Sequence, residues 1–401
     1  MRLRTGIALI ALGCVAALPP AASAQVPAAR KPAPPSVEKV SPAQVKSAID
    51  LLGSLDFPVR MDASRTVRRA ESSIAVPALV DAVSGHGDSY VRFKALVVLS
   101  GFNDPRIRET MVKALGDRND RLRAAAYGWF EHHPDPNIVP RLLAALAKEE
   151  SEFVRPALTR AVAAHGTDPK VRETMAGLVM SGQDLFRAVV IEALGEYRAA
   201  YALQPIMDVA RLEGPLQDDA VLAIGRIGDK RGLVVLADLQ RVAPRNLQPW
   251  IAASICLLGS NCGSHVGYLM ETLKFAIANP GYQELLRAAA GGLSALAVAG
   301  NQEAGAILFE RGAPTRDPER AAIVLALGSL ALRNTAVTLQ VLERQTALAA
   351  AVDLLREAFD MLEEDLEEER FFVTVRRAYW AAPEGSPGRR IAGALIQHLE
   401  F

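Results

Sequence analysis

Five dipeptides recur along this chain at a nearly constant spacing: Val59-Arg60, Val91-Arg92, Leu122-Arg123, Val154-Arg155 and Phe186-Arg187. Their arginines are separated by 32, 31, 32 and 32 residues. Counting from each apolar member, the positions at plus four, seven and eight are again apolar. They are Ala63, Thr66 and Val67; Ala95, Val98 and Leu99; Ala126, Trp129 and Phe130; Leu158, Ala161 and Val162; and Val190, Ala193 and Leu194. Thr66 is the one polar exception. That spacing describes one face of an α-helix and excludes a strand. The register continues through Leu216, Ala220, Ala223 and Ile224, and through Trp250, Ser254, Leu257 and Leu258. It returns less cleanly from Leu286-Arg287 and Glu319-Arg320.

Shorter apolar segments separate these helices, among them VPALVDAV, PRIRETMVKAL, NIVPRLLAALA and YALQPIMDVA. Each period is therefore a helix pair whose apolar surface only the neighbouring pairs can cover. The expectation is an all-α fold, an α-solenoid in which antiparallel helix pairs stack into a right-handed superhelix.

A capping aspartate, an apolar-arginine pair, small residues and a terminal Leu-Gly, as in Asp88 through Leu99 or Gln183 through Gly195, together resemble HEAT repeats. The pattern is most similar to the short form found in bilin lyases of light-harvesting assemblies. It covers residues 55 to about 330, strongly to 200 and loosely beyond. The resemblance implies that Arg60, Arg92, Arg123, Arg155 and Arg187 form a structural ladder between repeats. Asp56 and Asp88 precede two of them by four residues, the separation at which a capping carboxylate meets the next turn. The ladder lapses at Gln217 and Ile251. A positive stripe for an acidic ligand is the functional alternative.

The chain opens MRLRTGIALIALGCVAALPPAASAQ. Arg2 and Arg4 precede an apolar run from Ile7 to Leu18 and the small residues Ala22-Ser23-Ala24, so residues 1–24 read as a secretory signal peptide. A rival reading takes Leu12-Gly13-Cys14 as a lipid-attachment box, in which case the chain is a membrane-anchored lipoprotein. Residues 25–40 hold four prolines and read as a solvated spacer. The solenoid then spans 41–330, and 331–401 are expected to be divergent repeats or a cap. Ser41, Pro42 and Gln44 carry the signature of a capping box at the first ordered helix.

The chain has 45 basic and 45 acidic residues. Losing the leader removes Arg2 and Arg4 and no acid, leaving 43 against 45. This balance gives no steering toward nucleic acid or anionic lipid. The apolar runs at 321–332 and 288–300 are too short to span a bilayer and fit buried helices. Cys256 and Cys262 are the cysteines beyond the leader. Export favours a disulfide between them, with two free buried thiols as the alternative.

In WFEHHPDPNIVP (129–140), two of six histidines stand side by side. The register places Phe130 at the last core position of its helix, with Glu131, His132 and His133 on its final turn. Asp135 then caps the next helix and Pro136 begins it. A metal site from His132, His133 and His165 requires equivalent loops of neighbouring repeats to converge. Helices pack ~8–10 Å apart, whereas zinc ligands lie ~2 Å from the ion. Helix-end histidines are the reading adopted.

No H-E-x-x-H and no G-x-x-x-x-G-K-[ST] occurs, and Gly292-Leu293-Ser294-Ala295-Leu296 lacks the second glycine of a nucleophile elbow. No catalytic residue and no cofactor is assigned. Bilin lyases are intracellular, so an export signal argues against carrying their activity over. The acidic run MLEEDLEEER (361–370) reads as a solvated helix face. The expectation is a non-catalytic, periplasmic scaffold or adaptor that binds an envelope protein or complex on its curved surface. Tyr90, Tyr127 and Trp250 are candidate contacts, with core packing the better use of Trp250. The alternative is a lyase-like or enzyme-accessory subunit holding a small ligand in the concave face.

Overall fold

The computed structural model describes residues 39–399. Residues 1–38 lie outside them, as do the signal-peptide and lipid-attachment readings and most of the spacer reading. The described residues from Val40 onward form one compact unit.

Among the described residues there are 22 α-helices and no strand. The first three pairs are α1 (Pro42–Leu51) with α2 (Phe57–Arg69), α3 (Ser72–Gly85) with α4 (Ser89–Ser100), and α5 (Arg106–Ala114) with α6 (Asp120–His132). Next come α7 (Val139–Leu146) with α8 (Arg155–Ala163), α9 (Pro169–Leu178) with α10 (Asp184–Glu196), and α11 (Leu203–Ala210) with α12 (Gln217–Ile227). They continue as α13 (Leu233–Val242) with α14 (Gln248–Leu257), α15 (Cys262–Ala278) with α16 (Gln283–Val298), and α17 (Gln302–Gly312) with α18 (Glu319–Arg333). The last two pairs are α19 (Thr335–Leu342) with α20 (Leu348–Leu362) and α21 (Asp365–Ala381) with α22 (Pro387–His398).

The register marks the second helix of each pair. Its positions Ala95, Val98, Leu99, Ala126, Phe130, Leu158, Ala161, Val162, Val190, Ala193 and Leu194 are all at most 2% exposed. The expected caps form as well. Ser41 and Gln44 close a capping box at α1. Asp168 accepts from the backbone N–H groups of Lys170 and Val171, and Asp135 accepts from that of Asn137 at 2.9 Å.

Each ladder arginine but one turns to the preceding helix of its own pair. Arg92 donates to the carbonyl of Val83, Arg123 to that of Asp117 and Arg187 to that of Val179, at 2.8–2.9 Å. Arg60 likewise donates to Ser54 at 2.6 Å. A cation at a helix C-terminus satisfies carbonyls that the helix leaves open and meets the negative end of its dipole. Arg92 also pairs with the Asp117 carboxylate, and Arg123 holds Glu149 through two hydrogen bonds of 3.0 and 2.9 Å. These contacts tie successive pairs together. Arg155 differs, lying over the Phe186 ring at 4.3 Å. Where the ladder lapses, glutamine does the same capping. Gln217 donates to Ala210 at 3.0 Å, and Gln248 to Gln240 and Ala243 at 3.1 and 3.0 Å.

Second helices pack on one another more closely than first helices do, so the stack curves with the second helices on its inner side. Glycines permit this approach. A Cβ on Gly225 would lie 2.6 Å from the Cα of Ser254, and one on Gly195 2.9 Å from that of Ala223. Two buried serines add hydrogen bonds across the same seams: Ser254 donates to Val221 at 2.8 Å and Ser294 to Ala326 at 2.7 Å. Ser294 thus serves packing.

The stacking extends past residue 330, since α19 and α20 lie on α17 and α18 as earlier pairs do. The apolar interior forms two clusters, Val45 to Leu258 and Ala253 to Leu399, which meet on α14. Cys256 closes α14 and Cys262 opens α15. Their Cα atoms are 4.3 Å apart with the sulfurs in bonding contact. No single described helix is long and apolar enough to cross a membrane, and α18 with α19, apolar enough together, bend by 118°.

Candidate functional site

The acidic run does not form a solvated face. It enters α21, which reaches back across the inner side of the stack and touches α4, α6 and α18. Room for it exists because two glycines underlie it. A Cβ on Gly128 of α6 would lie 2.7 Å from the Leu366 side chain, and one on Gly101, after α4, would strike the Glu369 carboxylate.

Three carboxylates of α21 meet side chains of three earlier helices. Asp365 pairs with Lys94 of α4. Glu367 accepts from His132 Nε2 of α6 at 2.8 Å. Glu369, 1% exposed, takes Arg68 Nε of α2 at 2.9 Å and Arg376 at 3.2 Å. The charged run looked solvated because its partners on α2, α4 and α6 lie 235 to 301 residues away in sequence, beyond the reach of a local pattern.

Beside these contacts lies a cavity of about 360 Å³, bordered by Glu131, His132, Arg160, Tyr197, Arg333 and Glu367 among others. Glu131 is 5% exposed and accepts from Arg160 Nε at 3.1 Å and from the Tyr197 hydroxyl at 3.0 Å. Burial pushes its carboxyl above the usual range, with Arg160 and His132 pulling the other way. Glu367 behaves oppositely. Burial raises it, but the hydrogen bond from His132 and the charges of His132, Arg370 and Arg160 bring it to about 2. Across the cavity, Arg333 of α18 lies 2.8 Å from both Glu192 and Glu196 of α10. Glu192 is held below its ordinary value: burial raises it, and Arg333, Arg226 and Arg160 outweigh that.

Glu131, His132 and Glu367 each place one ligand atom within 4.8 Å of the others. The charge around them does not call for a metal ion. Arg160 already neutralises Glu131, and Arg370 pairs with Glu367 and lies 2.6 Å from His132 Nε2. Guanidinium groups thus already pair with both carboxylates of the set.

The histidines considered together as ligands have different duties. His133 stacks on Trp129 with ring centroids 4.0 Å apart and donates from Nδ1 to the Trp129 carbonyl. His165 is buried, donates from Nδ1 to the Ala161 carbonyl at 2.8 Å, and accepts at Nε2 from the Asp135 N–H at 3.0 Å. Both of its nitrogens are in use, so it holds two loops together and has no lone pair for a metal. Tyr127 is 2% exposed and presents no surface to a partner, a correction to its reading as a contact. Trp250 packs over Gly291. Tyr90 is half-buried, with Lys94 over its ring at 5.7 Å.

Most residues of this site escaped the sequence reading, although the register contains a signal for them. Counted from the apolar member of each period, Lys94 and Asp219 fall at plus three, and Arg160 and Glu192 at plus six. Arg68 and Glu131 fall at plus nine, and His132, Glu196 and Arg226 at plus ten. These positions share one side of the helix, next to the core face. Repeated mid-helix charge there, of both signs, marks the inner wall.

Residues 108–195 match the family model for HEAT repeats. No curated protein matches the chain. Among solved structures, the chain is similar to Escherichia coli YibA, at 18% identity and a TM-score of 0.40, covering 55% of this chain and 82% of that one. It is also similar to a Kap95p structure described with RanGDP, at 12% identity and a TM-score of 0.42, covering 90% and 55%. A third is importin beta, at 13% identity and a TM-score of 0.39, covering 89% and 57%. The chain thus spans just over half the length of the two importin-type structures. Residues 108–195 thus carry HEAT repeats, and helix pairs stack in the same way on either side of them.

Proposed function

We propose that this protein is a non-catalytic scaffold or adaptor of the cell envelope, which binds another protein through the curved surface of its helix stack. The observation that carries this reading is the inner wall itself. Many of its ionisable groups are paired with one another, Arg160 with Glu131, Arg333 with Glu192 and Glu196, Arg370 with Glu367. Such a lattice recognises charged side chains. Export, and with it a periplasmic location, rests on Arg2, Arg4, the apolar run and Ala22-Ser23-Ala24. If Cys14 is lipidated instead, the same scaffold is membrane-anchored. A disulfide between Cys256 and Cys262 fits an oxidising compartment.

The test is photo-crosslinking in living cells from a reactive residue at position 380, where Trp380 is 74% exposed, and from one at Lys94 on the inner wall. Covalent adducts with one envelope protein, seen at reproducible mass, support the reading. Recovery of monomer alone from both positions contradicts it.

A second reading is favoured by the 360 Å³ cavity: a small polar ligand held within the curve, as an enzyme-accessory subunit would hold it. A ligand released on denaturing the purified protein and identified by mass spectrometry would select this reading.

A further inference from the structure

The join between α21 and the early repeats differs in kind from the contacts between successive pairs. Successive pairs are held by buried Val, Leu, Ile and Ala side chains, whereas α21 meets α2, α4 and α6 through Arg68–Glu369, Lys94–Asp365 and His132–Glu367. The buried apolar residues of α21, Phe371, Phe372 and Val375, belong to the C-terminal cluster. Phe371 and Phe372 pack with Phe359 of α20, ring centroids 5.0 and 6.2 Å away. No residue of α21 enters the N-terminal cluster. The helix is thus anchored to the C-terminal pairs by an apolar core and laid on the N-terminal pairs by charge. Of these contacts Lys94–Asp365 and His132–Glu367 are partly exposed and weaken with salt more than the buried Arg68–Glu369 pair does.

We propose that the inner wall of the N-terminal repeats is a docking site for an acidic helix of a partner protein, and that α21 occupies this site as an internal competitor. The inference deepens the scaffold reading and rests on it. The occupant already in place defines the partner's chemistry. It is a helix with carboxylates at positions i, i+2 and i+4, as Asp365, Glu367 and Glu369 are, and an apolar residue at i+1 that settles over Gly128 as Leu366 does. The wall supplies Lys94 of α4 to the first of these carboxylates, His132 of α6 to the second and Arg68 of α2 to the third. Because α21 is tethered, its effective concentration at the wall is on the order of millimolar, so a partner helix of micromolar affinity is largely excluded until the join loosens. Release leaves α21 on its own apolar core, and the N-terminal wall opens as a preformed surface.

The test uses the full-length mature chain and a fluorescein-labelled peptide of residues 361–381. Binding is followed by polarisation to the wild-type chain and to a variant with Asp365→Asn, Glu367→Gln and Glu369→Gln together. The loosened chain should bind the peptide at least about tenfold more tightly than the wild type, as removal of a tethered competitor requires. Adding Lys94→Glu and Arg68→Glu should abolish that gain. Equal affinities, no binding, or indifference to the wall substitutions would overturn the proposal. If circular dichroism shows the triple variant unfolded, hydrogen exchange of the wild type decides. Near-millimolar peptide should speed exchange across 365–377, and unchanged exchange overturns the site. Should the peptide fail while both chains still cross-link to one envelope protein, only the inner-wall site is lost. Should every adduct vanish as well, the scaffold reading falls with it.

Discussion

Arg68 and Glu369 stand 301 residues apart in sequence, yet the guanidinium Nε lies 2.9 Å from one carboxylate oxygen and 3.2 Å from the other. Their side chains are 12% and 1% exposed. This pair, with Arg376 on the far side of the carboxylate, joins the second helix of the chain to the second-last and closes the curve of the stack. Desolvating such a group makes its partners indispensable. Glu369→Gln removes the charge and leaves two arginines facing each other, which should cost about 3 kcal/mol, the low end for breaking a buried pair from one side. Urea unfolding at neutral pH reads the difference. A loss below about 0.5 kcal/mol, the size of a surface substitution, would mean the pair is solvated in solution.

Asp219 supplies a pH signature. Burial first, then the neighbouring Asp218 and Glu192, raise its carboxyl from 3.8 to about 7, against a smaller pull from Arg226. A carboxyl whose folded value lies above its unfolded one binds more protons when folded, so stability falls as pH rises between the two values. Asp219→Asn removes that penalty. Its stabilisation relative to wild type should be absent below about pH 4, grow up to about pH 7 and then level off. Melting temperatures of both proteins from pH 4 to 8.5 test this. A difference that shrinks with pH would reverse the assignment.

The glycines divide by what surrounds them. Gly225→Ala would put a methyl 2.6 Å from the Cα of Ser254, forcing α12 from α14 at a cost of about 2 kcal/mol. Gly177, in the last turn of α9, has nothing within 4 Å of the same construction. There alanine should stabilise by about 0.5 kcal/mol through lower chain entropy. Opposite signs in paired urea titrations are the expected result, and equal effects would mean the second-helix column is looser than described.

The capping glutamine is open to a direct exchange. Gln217→Ala loses the hydrogen bond to Ala210 and should destabilise by about 1 kcal/mol. Gln217→Arg restores the residue that the other periods use and should recover most of it. Thermal unfolding of the two variants separates capping from mere burial, since only capping predicts that arginine outperforms alanine.

These cases show why the fold was legible and the site was not. Core positions such as Ala95, Leu158 and Leu194 repeat because each helix pair meets the same neighbours, so one period carries the pattern of all. The ladder's lapse at Gln217 was misread because capping needs only an N–H donor near the carbonyl, and residue identity hid that equivalence. The inner wall depends on contacts such as His132 with Glu367, made only when the whole stack curves. Nothing within one period specifies them. The single local trace was charge at the plus-three, six, nine and ten positions, which looks like an ordinary solvent face until the acidic helix is laid on it. The histidine pair had the converse fate. His133 bonds its own helix and His165 joins two neighbouring connectors, while His132 alone meets α21.

The central claim is that α21 lies on the inner wall of the early repeats, and a zero-length carbodiimide cross-link tests it most directly. Lys94 Nζ and the Asp365 carboxylate are in direct contact across 271 residues of sequence, while Lys113 and Glu109, 2.9 Å apart on one helix, serve as the internal control. Peptide mapping of the monomer band should find both the Lys94–Asp365 and the Lys113–Glu109 amides. Finding Lys113–Glu109 without Lys94–Asp365 would contradict the closed arrangement and the docking site built on it.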